Sequence, residues 1–209
     1  MTATDIRRLL LWMVQQIGSA QRVGIGVRHV DPTDPAPYVA ALDRGFRVSD
    51  RRRREFLAGR AAAADALAHL GMPRRNVSRT DRGVPVWPTG LVGSISHSRN
   101  WAVAIILDSA VTACCGLDIE ELPPSGQNLP LELHCAREAL YKALSPGTGR
   151  CFHPQEWQAE RIGPDRKWTP SIPKLFEANQ ARLGGGTPRL ATASIPSLQV
   201  ALVLAHRAP

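Results

Sequence analysis

Two apolar, β-prone runs, Trp101–Leu107 and Val111–Leu117, stand almost end to end in the middle of the chain, with only Asp108-Ser109-Ala110 between them. Two strand-length runs joined by three turn residues read as an antiparallel hairpin, and the fold is expected to be built around it. Helix-like stretches flank it. Asp5 to Ile17 has the spacing of a short amphipathic helix, and Asp31-Pro32 to Pro37 is a turn-rich connector. Asp50 suits the N-cap of a helix from Arg51 to Leu70, closed by Gly71 and then Pro73. Its apolar stripe is Phe56, Ala63, Leu67 and Leu70, with the arginines largely opposite. Met72 to Gly90 is a connector punctuated by Pro and Gly. Glu132 to Leu144 reads as a helix stopped by Pro146-Gly147. Glu156 to Ile162 suits a strand, Gly184-Gly185-Gly186 a loop, and Ala191–Ile195 with Leu198–Ala205 a closing hairpin around Pro196. This order of elements predicts the α+β class, and 209 residues leave room for one large domain or two small ones packed together.

The charge is uneven. The net charge is +8, and between Arg44 and Arg82 eleven arginines face only Asp50, Glu55, Asp65 and Asp81. A solvated helix face in an arginine-rich composition accounts for this, and so does a polyanionic partner. Aromatic residues are only 5%, with no interleaved stacking platform and no helix-turn-helix, finger or RNP pattern. Compact phosphate ligands therefore suit the arginines better than nucleic acid. The four cysteines, Cys114, Cys115, Cys135 and Cys151, contain no C-x-x-C pair, so a zinc ribbon or finger is excluded, and their sparseness suits a reducing cytoplasm. The opening apolar stretch, Leu9 to Val14, is too short for a membrane span and lacks a cleavage site, so a soluble, cytoplasmic chain without a signal peptide is expected.

Three short runs carry possible chemistry. In Gly116-Leu117-Asp118-Ile119-Glu120, strand alternation projects Asp118 and Glu120 together while Leu117 and Ile119 enter the core. Two adjacent carboxylates repel unless a cation or proton lies between them, and oxygen-only ligation suits Mg²⁺, although surface strands carry D-x-E by chance too. Glu138 and Lys142 are four apart on the predicted helix. That pairing is ordinary helix decoration, or else a third carboxylate and a phosphate-binding ammonium for metal-assisted phosphoryl transfer. Gly93-Ser94-Ile95-Ser96-His97-Ser98 offers hydroxyls and an imidazole to a phosphate, and on its own reads as a turn capped by Ser.

In this order and spacing, Gly93–Ser98, Gly116–Glu120 and Cys135–Ala143 together resemble the 4′-phosphopantetheinyl transferases, most closely the two-lobed bacterial kind serving siderophore, polyketide and lipid synthases. Arg52-Arg53-Arg54-Glu55-Phe56 with Gly59-Arg60, and Asp81-Arg82-Gly83-Val84-Pro85-Val86-Trp87-Pro88, extend the likeness, which runs from about Phe46 to Arg150 and more faintly to His206. The resemblance implies two pseudo-symmetric α/β lobes, 1–110 and 111–209, with the site between them. It implies transfer of the phosphopantetheine arm of coenzyme A to a serine of an acyl or peptidyl carrier protein, with release of 3′,5′-ADP. Asp118, Glu120 and Glu138 fall on the family's Mg²⁺ ligands, Glu138 doubling as the base that takes the serine proton. Lys142 falls on the lysine that contacts the diphosphate. Ser96 and His97 fall on the pair holding the 3′-phosphate, and Arg52, Arg60, Arg79 and Arg82 on basic positions around the nucleotide phosphates. Arg137 stands where Lys is usual, and Thr80 and Asp81 lie in the segment lining the adenine. A chain carrying both walls of the site is expected to act as a monomer.

The departure from the family pattern is length. Only 20 positions separate Asp118 from Glu138, about half the usual number, and His134 stands where an aromatic or apolar residue is commoner. Twenty residues of extended chain still span the site, so the shortening bears on carrier docking and lobe packing. Two further readings stay open. One is a non-catalytic relative that binds coenzyme A. The other is a basic nucleic-acid-binding module built on Arg51–Arg54.

Overall fold

The computed structural model describes residues 1–17, 22–31, 49–123, 129–148, 158–162, 167–171, 183, 186 and 188–207. The connector at 32–37, Cys151, Gly184 and Gly185 lie outside the described residues.

The first helix, α1 (Ala3–Gln16), begins on a capping box. Thr2 Oγ1 accepts from the Asp5 amide, and the Asp5 carboxylate accepts from the Thr2 amide at 2.8 Å. Ile6, Leu10, Met13 and Val14 form its buried stripe. Strand β1 (Val23–His29) follows, then α2 (Asp50–His69). The N-cap of α2 is Ser49 rather than Asp50: the Ser49 hydroxyl accepts the Arg52 amide, which places Asp50 in the first turn, where its charge complements the helix dipole. The helix ends as predicted before Gly71, whose φ of 75° suits glycine. Its buried face is a run of alanines, Ala61–Ala64 and Ala66, with Leu67; Arg60 is buried among them instead of lying opposite. Small residues let α2 sit directly on β1, where a Cβ at Gly24 or Gly26 would overlap the carbonyl oxygens of Ala66 and Ala62.

Short strands β2 (Ser78–Arg79) and β3 (Pro85–Val86) pair within the expected connector. Gly93–Ser98 is not a turn: most of it lies in β4 (Leu91–His97). The central hairpin is also overturned. β5 (Trp101–Asp108) and β6 (Thr112–Glu121) belong to different sheets, one of order β1-β5-β4, the other of order β6-β10-β9-β8-β7. Both runs are buried along nearly their whole length, on both faces of the strand. An isolated hairpin would leave one of those faces in water, whereas two packed sheets cover both.

The second sheet is completed by β7 (Gln158–Ile162), β8 (Lys167–Ser171), β9 (Pro188–Ile195) and β10 (Leu198–His206). β9 and β10 form the expected hairpin at Pro196, with Ser197 at φ 68°. Before it comes α3 (Leu129–Thr148), longer at both ends than Glu132–Leu144. Pro130 is tolerated in the first turn, and Pro146 lies in the last turn, with only two helical residues after it.

The result is mixed helix and antiparallel sheet, with three apolar clusters among the described residues. The inner faces of the two sheets share one core with α1, in which Val103, Ile105 and Leu107 of β5 meet Leu117 and Ile119 of β6. The outer face of the first sheet packs under α2 through Ala104 and Ile106, and that of the second under α3 through Cys114, Ala201 and Val203. Among the described residues no helix is long and apolar enough to cross a membrane. Cys114, Cys115 and Cys135 are buried and form no disulfide among the described residues.

Candidate functional site

The site forms where β4 and β6, each the outermost strand of its sheet, run past each other. Alternation along β6 sends Leu117 and Ile119 into the shared core and presents Asp118 and Glu120 towards α3, as the D-x-E pattern predicts. Gly116 makes this approach possible, because any Cβ there would overlap the carbonyl oxygen of Ala139 in α3. Along β4, Ser94 and Ser96 turn towards β6, and His97 turns towards α2.

On the acidic side, Asp118 is 4% exposed. Its Oδ1 accepts from Lys142 Nζ at 2.6 Å and from Ser96 Oγ at 2.9 Å, while its Oδ2 is buried with no partner among the described residues. Lys142 also donates to Ser96 Oγ at 2.9 Å and to the Leu117 carbonyl at 3.1 Å. Glu120 lies 3.7 Å from His134 Nε2. Its carboxyl is held above the usual range by burial first, then by the Asp118 charge, with Glu138 adding in the same direction. Burial and the nearby Asp118 also push up the thiol of Cys135, which keeps it protonated and inert. Asp118, Glu120 and Glu138 all face one cleft, but among the described residues no three acidic, His or Cys side chains are gathered closely enough to hold a metal ion.

The basic side is carried by α2 and the β2–β3 ribbon. Arg52 Nη1 stands 2.7 Å from His97 Nε2, and since a guanidinium only donates, Nε2 is the acceptor and the imidazole proton sits on Nδ1. That nitrogen faces Glu55 Oε2 at 3.7 Å. Burial first, and then the Arg52 charge, lower the pKa of His97 to about 4, so its ring is neutral at pH 7. Glu55, 6% exposed, accepts from Arg51 Nε at 2.8 Å. Arg60 is 4% exposed, donates to the Ser78 carbonyl at 3.3 Å and lies over the Phe56 ring, with Arg79 near the same ring. Burial, and then the Arg79 charge, lower the Arg60 pKa to about 10.

These two sides enclose one cleft of ≈ 690 Å³. Arg52 and Arg60 of α2, Arg79 and Arg82 of the β2–β3 ribbon, and Ser96 and His97 of β4 line one side, and Asp118 and Glu120 of β6 with Glu138 and Lys142 of α3 line the other. Thr80, Asp81 and Arg137 do not line it. Thr80 builds the β2–β3 turn, its hydroxyl accepting the Val84 amide and its carbonyl the Gly83 amide, and Asp81 is exposed in that turn. Sequence reasoning passed over Glu55, Phe56 and Tyr141 as lining residues. The signal for Glu55 was present, since an acid four places after Arg51 closes an i,i+4 pair in an otherwise basic run.

A family model described as the 4′-phosphopantetheinyl transferase N-terminal domain matches residues 46–107. Among curated proteins the chain is similar to the 4′-phosphopantetheinyl transferase Npt of Nocardia iowensis, with 34% identity over 48% of this chain and 55% of that protein. It is also similar to the 4′-phosphopantetheinyl transferase PptT of Mycobacterium tuberculosis, with 32% identity over 57% of this chain and 63% of that protein. Enterobactin synthase component D of Salmonella typhi is 36% identical over 49% of this chain and 53% of its own length. The chain thus spans from about half to under two thirds of the curated relatives named here.

Proposed function

The chain belongs to the 4′-phosphopantetheinyl transferase family, and on that premise we propose that it moves the phosphopantetheine arm of coenzyme A onto a serine of an acyl or peptidyl carrier protein, releasing 3′,5′-ADP. The observation that carries this reading is the cleft itself. An arginine-rich wall faces a wall of three carboxylates and a lysine across a crevice of ≈ 690 Å³. Arg60, buried beside Arg79 with no carboxylate partner among the described residues, has the environment of a guanidinium built to receive an anion. In this reading Arg60, Arg79 and Arg82 bind nucleotide phosphates, while Arg52 and the neutral His97 donate to the 3′-phosphate. The Thr80–Asp81 turn shapes the adenine side, and Arg137 adds charge behind the helix.

Asp118, Glu120 and Glu138 are assigned as the holders of Mg²⁺. The buried Oδ2 of Asp118, without a partner among the described residues, and the repulsion felt at Glu120 both favour a cation at an oxygen-only donor set. Bound there, the ion would supply positive charge to the diphosphate. Glu138 takes the proton from the incoming serine Oγ, and the Lys142 ammonium orients the diphosphate and protonates the departing phosphate oxygen.

The repeated plan of strand, helix and hairpin supports two pseudo-symmetric lobes divided near 110/111. β1, α2 and β4–β5 are answered by β6, α3 and β9–β10, these three strands stand in the order first-third-second in each sheet, with β8 and β7 added beyond β9 in the second, and a glycine lies under each helix. Action as a single chain in the cytoplasm completes the reading.

The test is mass spectrometry of apo carrier proteins incubated with coenzyme A and Mg²⁺. Gain of the phosphopantetheine mass on one carrier is expected; no gain across several carriers removes the proposal. One observation favours the runner-up, a coenzyme A-binding relative without turnover: all three Lys142 N–H groups are already held by protein acceptors. That alternative predicts calorimetric binding of coenzyme A, weakened by Glu138→Ala, without transfer.

A further inference from the structure

The joint between the two sheets has a chemistry of its own. Among the described residues β4 and β6 are both edge strands, so each presents backbone groups with no further strand to pair with. They meet without a backbone ladder. The Leu117 and Ile119 amides of β6 donate instead to the hydroxyls of Ser94 and Ser96 of β4, at 3.0 and 3.3 Å. Donors and acceptors are two residues apart on both strands, in step with the pleat, so the two bonds form a side-chain seam between sheets.

The two serines differ in what else they touch. The Ser94 hydroxyl has only the Leu117 amide among the described residues. Ser96 Oγ also donates to Asp118 Oδ1 at 2.9 Å and accepts from Lys142 Nζ at 2.9 Å. A hydroxyl offers one proton and two lone pairs, and here all three are used on a residue that is 2% exposed. No capacity remains for a phosphate oxygen, and alternation along β4 leaves His97 alone facing the arginine side.

We propose that Ser96 is a positioning residue whose hydroxyl holds the Asp118 carboxylate and the Lys142 ammonium in one register across the joint, rather than a ligand of the 3′-phosphate. Lys142 reaches the site on a long, flexible stem, and each acceptor that fixes its head narrows where that head can be. The consequence for turnover rests on the transferase reading above; the consequence for Lys142 does not.

Lysine labelling separates the two. The chain has only three lysines, Lys142, Lys167 and Lys174, so pulsed acylation with an N-hydroxysuccinimide ester, read by peptide mass spectrometry, reports each one. Ser96→Ala frees one Lys142 donor, and its acylation relative to Lys167 and Lys174 is expected to rise about fivefold or more, from the loss of a hydrogen bond to a charged group. Ser96→Thr, which keeps a hydroxyl, restores the slow rate. Ser94→Ala breaks the other bond of the same seam and controls for loosening of the sheets. Equal Lys142 rates in Ser96→Ala and Ser94→Ala overturn the proposal. In the transfer assay, Ser96→Ala is expected to lower kcat about tenfold or more, with KM for coenzyme A within about threefold of the parent and the same loss on 3′-dephospho-coenzyme A. A loss confined to KM and absent with the dephosphorylated substrate would identify Ser96 as a 3′-phosphate ligand and overturn the proposal. If the parent chain transfers nothing while the labelling pattern holds, the transferase reading falls and the positioning role of Ser96 stands.

Discussion

His97 sits where two charge systems meet, its ring squeezed between Arg52 and Glu55. Burial and the adjacent guanidinium lower its pKa to about 4 from an ordinary value of 6.5. The folded chain therefore binds fewer protons than the unfolded chain between those two values, and stability falls as pH drops through that window. Above about pH 6.5 the contribution is complete; below about pH 4 both states are protonated and the dependence ends. The expected size is on the order of 2–3 kcal/mol between pH 7 and pH 4. Urea denaturation of the parent and of His97→Gln across that range checks this, because the variant should lack that part of the slope. An unchanged slope would mean that the ring is more open to water than its surroundings indicate.

The helices are held at working distance by what is missing beneath them. α3 brings Lys142 onto Asp118 only because Gly116 lets the Ala139 carbonyl rest on the β6 backbone, and Ala143 crowds the same spot. Gly116→Ala is expected to lift α3 from the sheet and to destabilise the chain by about 3 kcal/mol, at the upper end for overpacking. The substitution should also free the Lys142 amine. A denaturation midpoint within error of the parent would refute the close approach. A strand interior normally disfavours glycine, so Gly116 inside an apolar run was a legible sign of close backbone approach. Which element approached was not legible, because helix and strand patterns carry no information about their partner. The same limit misled the hairpin reading. Asp108-Ser109-Ala110 has turn chemistry, but a turn of that kind serves equally to pass the chain from one sheet to another.

At the scale of the molecule, the two sheets are not independent units. Their inner faces share one apolar core with α1, and cutting the chain near residue 110 would expose Val103, Ile105 and Leu107 on one side and Leu117, Ile119, Val200 and Leu202 on the other. A single calorimetric unfolding transition is therefore expected, with calorimetric and van't Hoff enthalpies in agreement. Two resolved transitions would show that each half has a sufficient core of its own. The cleft depends on the same union, since its basic wall is carried by α2, the β2–β3 ribbon and β4, and its acidic wall by β6 and α3.

Local rules read from residues alone survive in the structure wherever the physics is short-ranged. Strand alternation oriented Asp118 and Glu120 away from the core, and helical spacing put Glu138 and Lys142 on one face turned to the cleft. Segments built from nearest-neighbour preferences were located to within a few residues, with Ser49 displacing Asp50 as a cap and Pro146 failing to stop a helix. Only the packed chain decided that Ser96 is enclosed by Asp118, Lys142 and the Ile119 amide, and that Arg60 is buried while Arg51, Arg52 and Arg53 of the same helix stay exposed. A hydroxyl or a guanidinium accepts many surroundings at similar local cost. What selects one is the set of partners brought from distant stretches of chain, and that set exists only once two edge strands have been pressed together by a common core.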